Sequence, residues 1–369
     1  MRIATLHSNW TSLTTRNLER EGVHVEYVGP MHVKKHGSQK QYYSSWQLFG
    51  VVLRATWALS KAALSAPVDI IHVGKPHPMN SIAGLLAARL KGSALCVDCD
   101  DYEAGSNRFG NHWQQEGVAY FEKRTPRHAR LVTTNTLFMK SNLLNWGCPP
   151  GRIFYLSNGI ESERFITPKQ EEVDHLRDRL GLNGKRIILY LGSLSLVNHP
   201  VDLLLIAFKK VSQESQDVAL LIVGGGEDYQ ALVDMAGTLG IRHLTYFAGR
   251  VEPTDVPKYY ALADVSVDPV NDDDAARGRS PLKLFESWVC GVPFVTSPVG
   301  DREYLLGQPP AGVLAQPAGD SGALANGLLQ ILKSSLTAAE LQRRGSAQVQ
   351  QFTWDRLAKQ LEQEYLKLL

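Results

Sequence analysis

Short apolar runs alternate with longer amphipathic segments along this chain. In the first half the runs that predict β-strands are Arg2–Leu6, His24–Val28, Asp69–Val73, Ala94–Asp98, Arg130–Thr134 and Ile153–Leu156. In the second half they are Arg186–Leu191, Val218–Val223, Leu244–Ala248, Val265–Asp268, Pro293–Ser297 and Gly312–Ala315. Helical stretches lie between most of them, which is typical of parallel sheets covered by helices on both faces. Because the pattern occurs twice, it predicts an α/β protein with two Rossmann-like doubly wound domains.

The domain boundary is predicted between Asn158 and Lys185, where a polar, charge-rich run precedes the next buried strand. The length of 369 residues suits two domains. We therefore expect an N-terminal domain over residues 1–165 and a C-terminal domain over residues 183–350. The closing segment, Trp354–Leu369, has apolar residues at helical spacing.

The composition is that of a globular protein, with 44% apolar and 21% charged residues. The net charge is only +2, but residues 1–160 hold 18 Lys and Arg against 10 Asp and Glu (net +8), and the remainder holds 21 against 27 (net −6). A basic first half indicates an anionic partner there, either a phosphorylated acceptor or a membrane surface. An uneven but solvated surface explains it equally well, and we expect no nucleic-acid partner.

The first residues, MRIATLHSNW, have the pattern of a strand and lack the apolar core of an export signal. The sequence contains no run of about 18 or more uncharged apolar residues, so it predicts no membrane span. Four cysteines in a chain of this length favour a reduced, cytoplasmic setting. Cys96 and Cys99 have CxxC spacing but no second pair, so we expect a core or strand-end role and no metal site.

One segment of the first half departs from the alternation. Met31–Gln41 is basic and loop-like, and it is followed by Tyr42, Tyr43, Trp46 and the mostly apolar run Leu48–Leu59. Residues 34–61 could lie on anionic lipid at the inner membrane face, with the aromatic rings at the interface. A helix packed on the first sheet is the alternative, and packing is the commoner outcome.

The segment Ser280–Gly291, with the sequence SPLKLFESWVCG, predicts a helix that can bind phosphate. Ser280 suits the N-cap position and Pro281 the first helical position, and the helix should end at Gly291. Its N-terminus offers free N–H groups and Lys283 adds a charge, while Glu286 lies on the same side and could accept hydrogen bonds from ribose hydroxyls. An ordinary capped helix remains the alternative.

This stretch, followed by Val292–Ser297, resembles the donor-binding signature of family 4 glycosyltransferases, which are retaining enzymes of the GT-B fold. Further blocks resemble the family in the same order: Tyr155–Phe165, Leu191–Ser193, Leu221–Gly226, Phe247–Val251, Tyr259–Pro269 and Phe352–Trp354. The resemblance covers nearly all of the chain from about residue 150 onward. It implies two Rossmann-like domains facing a central cleft, with a closing helix over about 352–369 that crosses back to the N-terminal domain.

The resemblance also implies a function and site residues. The chain would be a hexosyltransferase-like enzyme of polysaccharide biosynthesis, moving a sugar from a nucleotide-diphosphate sugar, most often a UDP- or GDP-sugar, to a hydroxyl of a glycan, glycolipid or small glycoside. No cofactor beyond this co-substrate is implied. The implied donor-site residues are Glu286 on the ribose, Ser280, Leu282 and Lys283 on the diphosphate, Gly249, Arg250 and Val251 at the nucleobase, and Gly192, Ser193 and Gly225 at strand ends.

Two departures from the family concern this donor site. Gly278 stands where many relatives have an acidic residue eight positions before Glu286. The stretch Ser193–Pro200 lacks the Arg and Lys that clamp the diphosphate in many relatives, and His199 is its only candidate base. We expect Lys283, together with Arg279, to supply that charge and so stabilise the departing diphosphate. The acidic residues 272–274 would either contact sugar hydroxyls or form a solvated loop.

The first half matches the family less clearly. Trp10, Lys75 and His77 follow predicted strands and are candidate acceptor-side residues. Relatives often have a His near the position that here holds Asp100 and Asp101, so either carboxylate could take the proton of the acceptor hydroxyl. Transfer on one face of the sugar, assisted by the leaving phosphate, would need no protein nucleophile.

Two other functions stay open. Asp98 and Asp100 form a DxD sequence, which GT-A glycosyltransferases use to hold a divalent metal on the donor diphosphate. The chain could also be a non-catalytic partner subunit that binds a sugar or nucleotide, since the basic clamp is missing. A dinucleotide oxidoreductase is disfavoured because no GxGxxG follows an early strand.

Overall fold

The structure is a computed structural model that describes residues 1–36, 39–107 and 109–369. It divides into two compact units. The first contains Met1–Leu156 and Gln360–Leu369, and the second contains Ser157–Lys359.

In the described part of the first unit, the strands form three sheets. They are β1 (Arg2–His7), β2 (Asn17–Arg20), β3 (Val23–Pro30), β4 (Val33–His36), β5 (Gln39–Tyr42), β6 (Ile70–Gly74), β7 (Ala94–Cys99), β8 (Leu131–Thr134) and β9 (Ile153–Tyr155). One sheet has the order β1-β3-β2, a parallel sheet has the order β6-β7-β8-β9, and β4 and β5 pair as an antiparallel ribbon. The parallel sheet carries the carboxyl ends of β6 and β7, where Lys75 and Asp100 follow.

The helices of the first unit cover these sheets. They are α1 (Ser45–Leu64), α2 (Pro78–Lys91), α3 (Glu103–Ser106), α4 (His112–Arg124) and α5 (Leu137–Asn145). α1 and α2 pack together through Ala55, Leu59, Met79 and Ala83, against apolar side chains of β1 and β3. No helix in the described ranges is long and apolar enough to cross a membrane.

The second unit is built on a single parallel sheet. Its strands are β10 (Arg186–Leu191), β11 (Val218–Val223), β12 (Thr245–Gly249), β13 (Val265–Val267), β14 (Phe294–Thr296) and β15 (Val313–Leu314). The strand order is β12-β11-β10-β13-β14-β15. After β10, the chain therefore places β11 and β12 on one side of that strand, and then β13, β14 and β15 on its other side. Such a reversal creates a crevice at the carboxyl ends of the two strands where it occurs, here β10 and β13.

Helices cover both faces of this sheet, and their apolar side chains fill two large cores and a smaller one around Leu284, Phe285 and Trp288. They are α6 (Gln170–Arg179), α7 (Val201–Glu214), α8 (Tyr229–Thr238), α9 (Val256–Leu262), α10 (Asp274–Arg277), α11 (Leu282–Val289), α12 (Arg302–Leu306), α13 (Ser321–Leu332) and α14 (Ser335–Gln348). The last helix, α15 (Trp354–Leu366), begins in this unit, and its residues from Gln360 onward belong to the first unit. β10 and β11 are buried on both faces, as continuous apolar strands of a doubly covered sheet are expected to be.

Two sequence predictions for the first unit are wrong in detail. The basic segment Met31–Gln41, for which the pattern predicted a loop, contains β4 and all but the last residue of β5. Gly37 and Ser38 lie outside the described residues. β2 was also missed, because all four of its residues are exposed and it carries no alternation of apolar and polar positions.

Candidate functional site

Three strands of the second unit end in glycine at the same edge of the sheet. Gly192 follows β10, Gly224 follows β11, and Gly249 ends β12. The Gly192 N–H donates to the Val223 carbonyl at 2.9 Å, and the Gly224 N–H donates to the Gly249 carbonyl at 2.8 Å. These bonds join the three strand ends into a continuous, half-buried stretch of backbone, which a phosphate can approach closely because glycines lack side chains.

The glycines are needed because neighbouring backbone leaves no room for a side chain. Gly224 has a φ of 141°, and a Cβ there would lie 1.8 Å from the Gly192 carbonyl oxygen. A Cβ on Gly226 would lie 2.2 Å from the Leu194 carbonyl oxygen. The loops after β10 and β11 therefore pack directly on each other, and this packing sets the position of Gly192 and Ser193.

Lys283 lies at the crevice between β10 and β13. Its Nζ donates to Asp268 Oδ1 at 3.0 Å and sits 5.2 Å from the ring centroid of Tyr190 in β10. A Cβ on Gly192 would lie 2.7 Å from Lys283 Cε, so this glycine admits the lysine side chain. Lys283 belongs to the first turn of α11, whose free N–H groups favour an anion at the same place.

Asp268 connects Lys283 to a buried arginine. Arg302 Nη2 and Nε donate to Asp268 Oδ2 at 2.8 and 3.2 Å, and Arg302 Nη1 donates to the carbonyls of Ala276 and Val299. Asp268 and Arg302 are each 2% exposed. Burial acts to raise the pKa of Asp268, but the charges of Lys283 and Arg302 outweigh it and hold that pKa well below its ordinary value. The carboxylate is therefore ionised and doubly paired.

The start of α11 differs from the prediction by one residue. The helix begins at Leu282 with Pro281 at the N-cap, and no side chain caps it. The prediction of Ser280 as N-cap is wrong, because Pro281 has an extended backbone conformation and takes that position, and Ser280 Oγ is buried without a hydrogen-bond partner in the structure. The predicted end is confirmed, since the helix stops at Val289 and Gly291 has a left-handed φ of 68°.

Glu286 lies one turn after Lys283 on α11. Tyr260 Oη donates to Glu286 Oε2 at 3.0 Å. Burial raises the pKa of Glu286, against the lowering effects of the Tyr260 hydrogen bond and the Lys283 charge. A buried tyrosine thus fixes the position of this carboxylate. The tyrosine hydroxyl bonds to Oε2 and not to the other carboxylate oxygen.

The remaining donor-side residues are placed as follows. Arg279 donates to the carbonyl and the Oδ1 of Asn198 at 2.6 and 2.9 Å. A Cβ on Gly225 would lie 2.9 Å from Arg250 Cγ, so the arginine side chain that follows β12 extends over that glycine. Val251 comes next in the chain and packs on the core beneath β10 and β11.

His199 does not contribute a positive charge at the donor site, and the acidic residues 272–274 make local contacts at α10. Burial, together with the charges of Lys283 and Arg279, lowers the pKa of His199 to about 3, so it is neutral near pH 7. Asp272 and Asp274 pair with Arg277, and the Asp273 side chain caps α10 by accepting from the Ala276 N–H. This acidic stretch therefore stabilises a short helix.

A second cluster lies in the first unit, at the carboxyl ends of β6 and β7. Lys75 Nζ is 2.6 Å from Glu103 Oε1, 2.7 Å from Asp101 Oδ2 and 3.3 Å from Asp100 Oδ1, and His77 Nε2 is 3.3 Å from Glu103 Oε2. Lys75 has a positive φ of 58°, which is uncommon for a residue with a side chain. The structure thus brings four predicted acceptor-side and catalytic residues together around one buried glutamate.

The charges of this cluster are strongly coupled. Burial acts to lower the pKa of Lys75, but Glu103, Asp101 and Asp100 outweigh it and raise that pKa above its ordinary value. Burial raises the pKa of Asp100 to about 6, against the opposing charge of Lys75. For Glu103, burial acts to raise the pKa, but its bonds to His77 and Lys75 lower it to about 2. The pKa of Asp100 therefore lies nearer to neutral pH than that of Glu103.

The carboxylates of this cluster are paired with a lysine ammonium. Oxygens of Asp100, Asp101 and Glu103 lie within 4.8 Å of one another, but the Lys75 ammonium is already bonded among them. Asp98, the first residue of the DxD sequence, accepts a hydrogen bond from Thr133 Oγ1 instead. Trp10, the remaining acceptor-side prediction, has the Arg16 guanidinium 4.1 Å from its ring centroid.

Sequence reasoning missed Asp268, Arg302, Tyr260 and Glu103. Asp268 was detectable in principle, because a carboxylate that ends a buried parallel strand lies at the edge where ligands bind. Arg302 gives no such signal, because it starts a five-residue helix far along the chain. Its role depends on a tertiary contact with Asp268 that no local pattern encodes.

Comparison with known families covers both units. The family model described as "Glycosyl transferase 4-like domain" matches residues 4–159, and the model described as "Glycosyl transferases group 1" matches residues 185–334. Among curated proteins, spore coat protein SA of Bacillus subtilis (strain 168) is 28% identical over 214 residues, 55% of each chain. The phosphatidyl-myo-inositol mannosyltransferase of Mycobacterium leprae (strain TN) is 31% identical over 210 residues, 56% of this chain and 54% of that protein. The chain thus matches about half the length of these relatives.

Solved structures resemble the whole chain. Sucrose-phosphate synthase from Thermosynechococcus elongatus has a TM-score of 0.79 at 19% identity, covering 100% of this chain and 88% of that one. The Anabaena protein Alr3699/HepE in complex with UDP has a TM-score of 0.70 at 19% identity, covering 88% and 83%. At these identities the likeness shows the fold.

Proposed function

Since this chain belongs to the family 4-like glycosyltransferases and has the GT-B fold, we propose that it transfers a sugar from a nucleoside-diphosphate sugar to an acceptor hydroxyl. The observation that carries the proposal is the position of Lys283 at the crevice between β10 and β13, in the first turn of α11. The GT-B fold does not favour the GT-A alternative, in which Asp98 and Asp100 would hold a metal.

The donor would bind along the glycine-ended edge of the second unit. The Lys283 ammonium and the free N–H groups of α11 would hold the diphosphate, and the backbone of Gly192 and Ser193 would allow it to approach closely. Glu286, oriented by Tyr260, would accept hydrogen bonds from the ribose hydroxyls. The UDP bound to the Anabaena structural relative supports a nucleotide donor, and we propose UDP or GDP as its nucleotide.

We propose that transfer retains the configuration of the sugar. Lys283 and the α11 N-terminus would stabilise the negative charge that develops on the departing diphosphate, which lowers the barrier without a covalent intermediate. The anomeric configuration of the product, followed by NMR before mutarotation, tests this step. An inverted product would contradict it.

The acceptor would be a glycan, a lipid-linked glycan or a small glycoside, handled by the cluster around Lys75. Asp100 is the better base of the two carboxylates considered, because its pKa of about 6 lies near neutral pH while Asp101 is bonded to the lysine at 2.7 Å. We also propose a reducing, cytoplasmic setting, with which the four free cysteines are consistent.

Thermal-shift measurements with UDP, GDP, ADP and TDP and their sugars test the donor site. A nucleotide that binds the native state raises Tm by mass action. Lys283→Ala and Glu286→Ala should abolish the shift, while Lys333→Ala, which removes a surface lysine of the same unit, should keep it. If none of the nucleotides raises Tm of the unaltered chain, the donor site is refuted.

The non-catalytic partner subunit is the second candidate, because Ser193–Pro200 lacks a basic clamp and His199 is neutral. Measuring the release of nucleotide from the nucleotide sugar that gives the largest thermal shift decides between the enzyme and the partner subunit. Release that is lost in Lys283→Ala supports the enzyme. Binding of that nucleotide without release, in the presence of a panel of acceptors, supports the partner subunit.

A further inference from the structure

The helix α1 of the first unit has two apolar faces. One face is buried, with Val51, Ala55 and Leu59 packed on the unit. The other face carries Trp46, Phe49, Leu53 and Trp57, whose exposed fractions are 88%, 56%, 56% and 68%. Two tryptophans exposed to this degree on one helix need a partner, because isolated large apolar side chains are tolerated at a surface but an aligned set marks an interaction site.

The four exposed side chains form one continuous stripe. Their spacings of three, four and four residues place them within about 80° of one another around the helix, opposite the buried face. From Trp46 to Trp57 the stripe is about 16 Å long at the rise of an α-helix. We call this set, Trp46, Phe49, Leu53 and Trp57, the α1 stripe.

Basic residues flank the α1 stripe, and acidic residues are missing from the sequence around it. Arg54 and Lys61 are exposed on one flank, and Lys61 Nζ lies 5.5 Å from the ring centroid of Trp57. Residues 27–68 contain no Asp or Glu, and neither does the sequence of α2. The stripe is therefore an aromatic and aliphatic surface, and the charged side chains that α1 and α2 themselves supply beside it are all basic.

The neighbouring helix extends this surface. α2 packs against α1 through its buried side chains and exposes Ile82, Leu86 and Leu90, with Arg89 also exposed. These apolar residues are spaced four apart, so they too share one face of their helix. Two adjacent helices thus each expose an apolar row beside basic side chains.

We infer that the α1 stripe docks on the surface of an anionic lipid bilayer. Trp side chains are favoured at the boundary between headgroups and acyl chains, and Lys and Arg beside them are attracted to anionic headgroups. A second copy of this chain fits less well, because a two-fold pairing of stripes would bring Arg54 and Lys61 of both copies together with no carboxylate from α1 between them. The inference does not depend on the proposed transferase activity.

Sedimentation with vesicles tests this docking on the full chain. Vesicles of phosphatidylglycerol and phosphatidylcholine in equal amounts should bind the unaltered protein, and vesicles of phosphatidylcholine alone should bind it at least about tenfold more weakly. Trp46→Ser combined with Trp57→Ser should weaken binding to the anionic vesicles by at least about tenfold. Both side chains are exposed, so Tm should change little, and this is measured alongside.

The matched control replaces two apolar side chains of the second unit that are equally exposed, Tyr304 and Leu336, at 60% and 83%. Tyr304→Ser with Leu336→Ser should leave vesicle binding unchanged. Arg54→Gln with Lys61→Gln should weaken binding to the anionic vesicles and leave the weak binding to neutral ones as it was. These results together would support the docking surface.

Three outcomes would overturn the inference. The unaltered chain could fail to bind anionic vesicles, or the tryptophan variant could bind them as well as the unaltered chain does. Light scattering could also show a dimer that the tryptophan variant converts to a monomer, with no vesicle binding by either, and the stripe would then be an interface between copies. Because vesicle binding is measured without donor or acceptor, none of these outcomes bears on the proposed transfer.

Discussion

Replacing Asp268 by Asn removes the charge that joins Lys283 to Arg302. In the structure, this carboxylate accepts from the lysine at 3.0 Å and from the arginine at 2.8 and 3.2 Å. Asn keeps the size of the side chain and one neutral acceptor oxygen. The guanidinium of Arg302, which is 2% exposed, would then be buried without a counter-charge.

The expected loss of stability follows from that burial. Removing one partner of a buried ion pair costs about 3–5 kcal/mol, since the remaining charge is desolvated and uncompensated. The Asn oxygen and the two carbonyls that accept from Arg302 place this case at the lower end, at about 3 kcal/mol. For a unit of about 200 residues, a loss of that size lowers Tm by about 6–12 °C.

The loss should also depend on pH in a defined direction. The pKa of Asp268 is depressed in the folded state, so its contribution to the free energy of unfolding is present above its unfolded pKa, near 4, and is lost as the pH falls below that value. Asp268→Asn lacks this contribution at every pH. The difference in Tm between the two proteins should therefore be full at pH 7 and should shrink below about pH 4.

Calorimetry or circular dichroism measures these transitions. The control is the double variant Asp268→Asn, Arg302→Met, which removes the stranded charge and should recover part of the lost stability. If Asp268→Asn unfolds within about 0.5 kcal/mol of the unaltered protein at pH 7, the buried pair does not have the role assigned to it.

Three further predictions concern residues around the two clusters. Gly192→Ala places a Cβ 2.7 Å from Lys283 Cε, so it should displace the lysine and weaken nucleotide binding in a titration while Tm of the free protein falls little. Tyr260→Phe removes the hydrogen bond that lowers the pKa of Glu286, so the pH at which nucleotide affinity falls on acidification should move upward. Lys75→Met leaves its carboxylate partners uncompensated and should lower the free energy of unfolding in urea by about 1–2 kcal/mol at pH 7. The loss is smaller than for a fully buried pair because the lysine side chain is 38% exposed. An equal loss of stability at pH 5 and at pH 8 would contradict this explanation.

The second unit was largely predictable from sequence because its elements are set by local patterns. β10 and β11 are continuous apolar runs, and strands buried on both faces have that composition. α11 ends where Gly291 permits a left-handed conformation. The strand-end glycines could be recognised as candidates for the same reason, although the contact that requires Gly224, with the Gly192 carbonyl, is visible only in three dimensions.

The predictions failed where the result depended on contacts between residues that are distant in sequence or on which of two neighbouring residues takes a position. Ser280 has the residue type of an N-cap, but Pro281 takes the extended conformation and the helix begins one residue later. The apolar pattern of α1 could not show which of its faces is buried, because both faces are apolar and only the packing against α2 distinguishes them. Periodicity reports that a face is apolar, and it does not report whether another element covers that face.

The charge balance at the crevice explains why Asp268 and Arg302 occur together. Lys283 alone beside an ionised Asp268 would have no net charge to offer a diphosphate, because the carboxylate would offset it. Arg302 supplies a second positive charge to that carboxylate from the buried side, so the three groups together keep a net charge of +1. The lysine, which is 15% exposed, is the member of the three that can reach a ligand. Asp268 therefore fixes the position of Lys283, and Arg302 prevents that positioning from cancelling its charge.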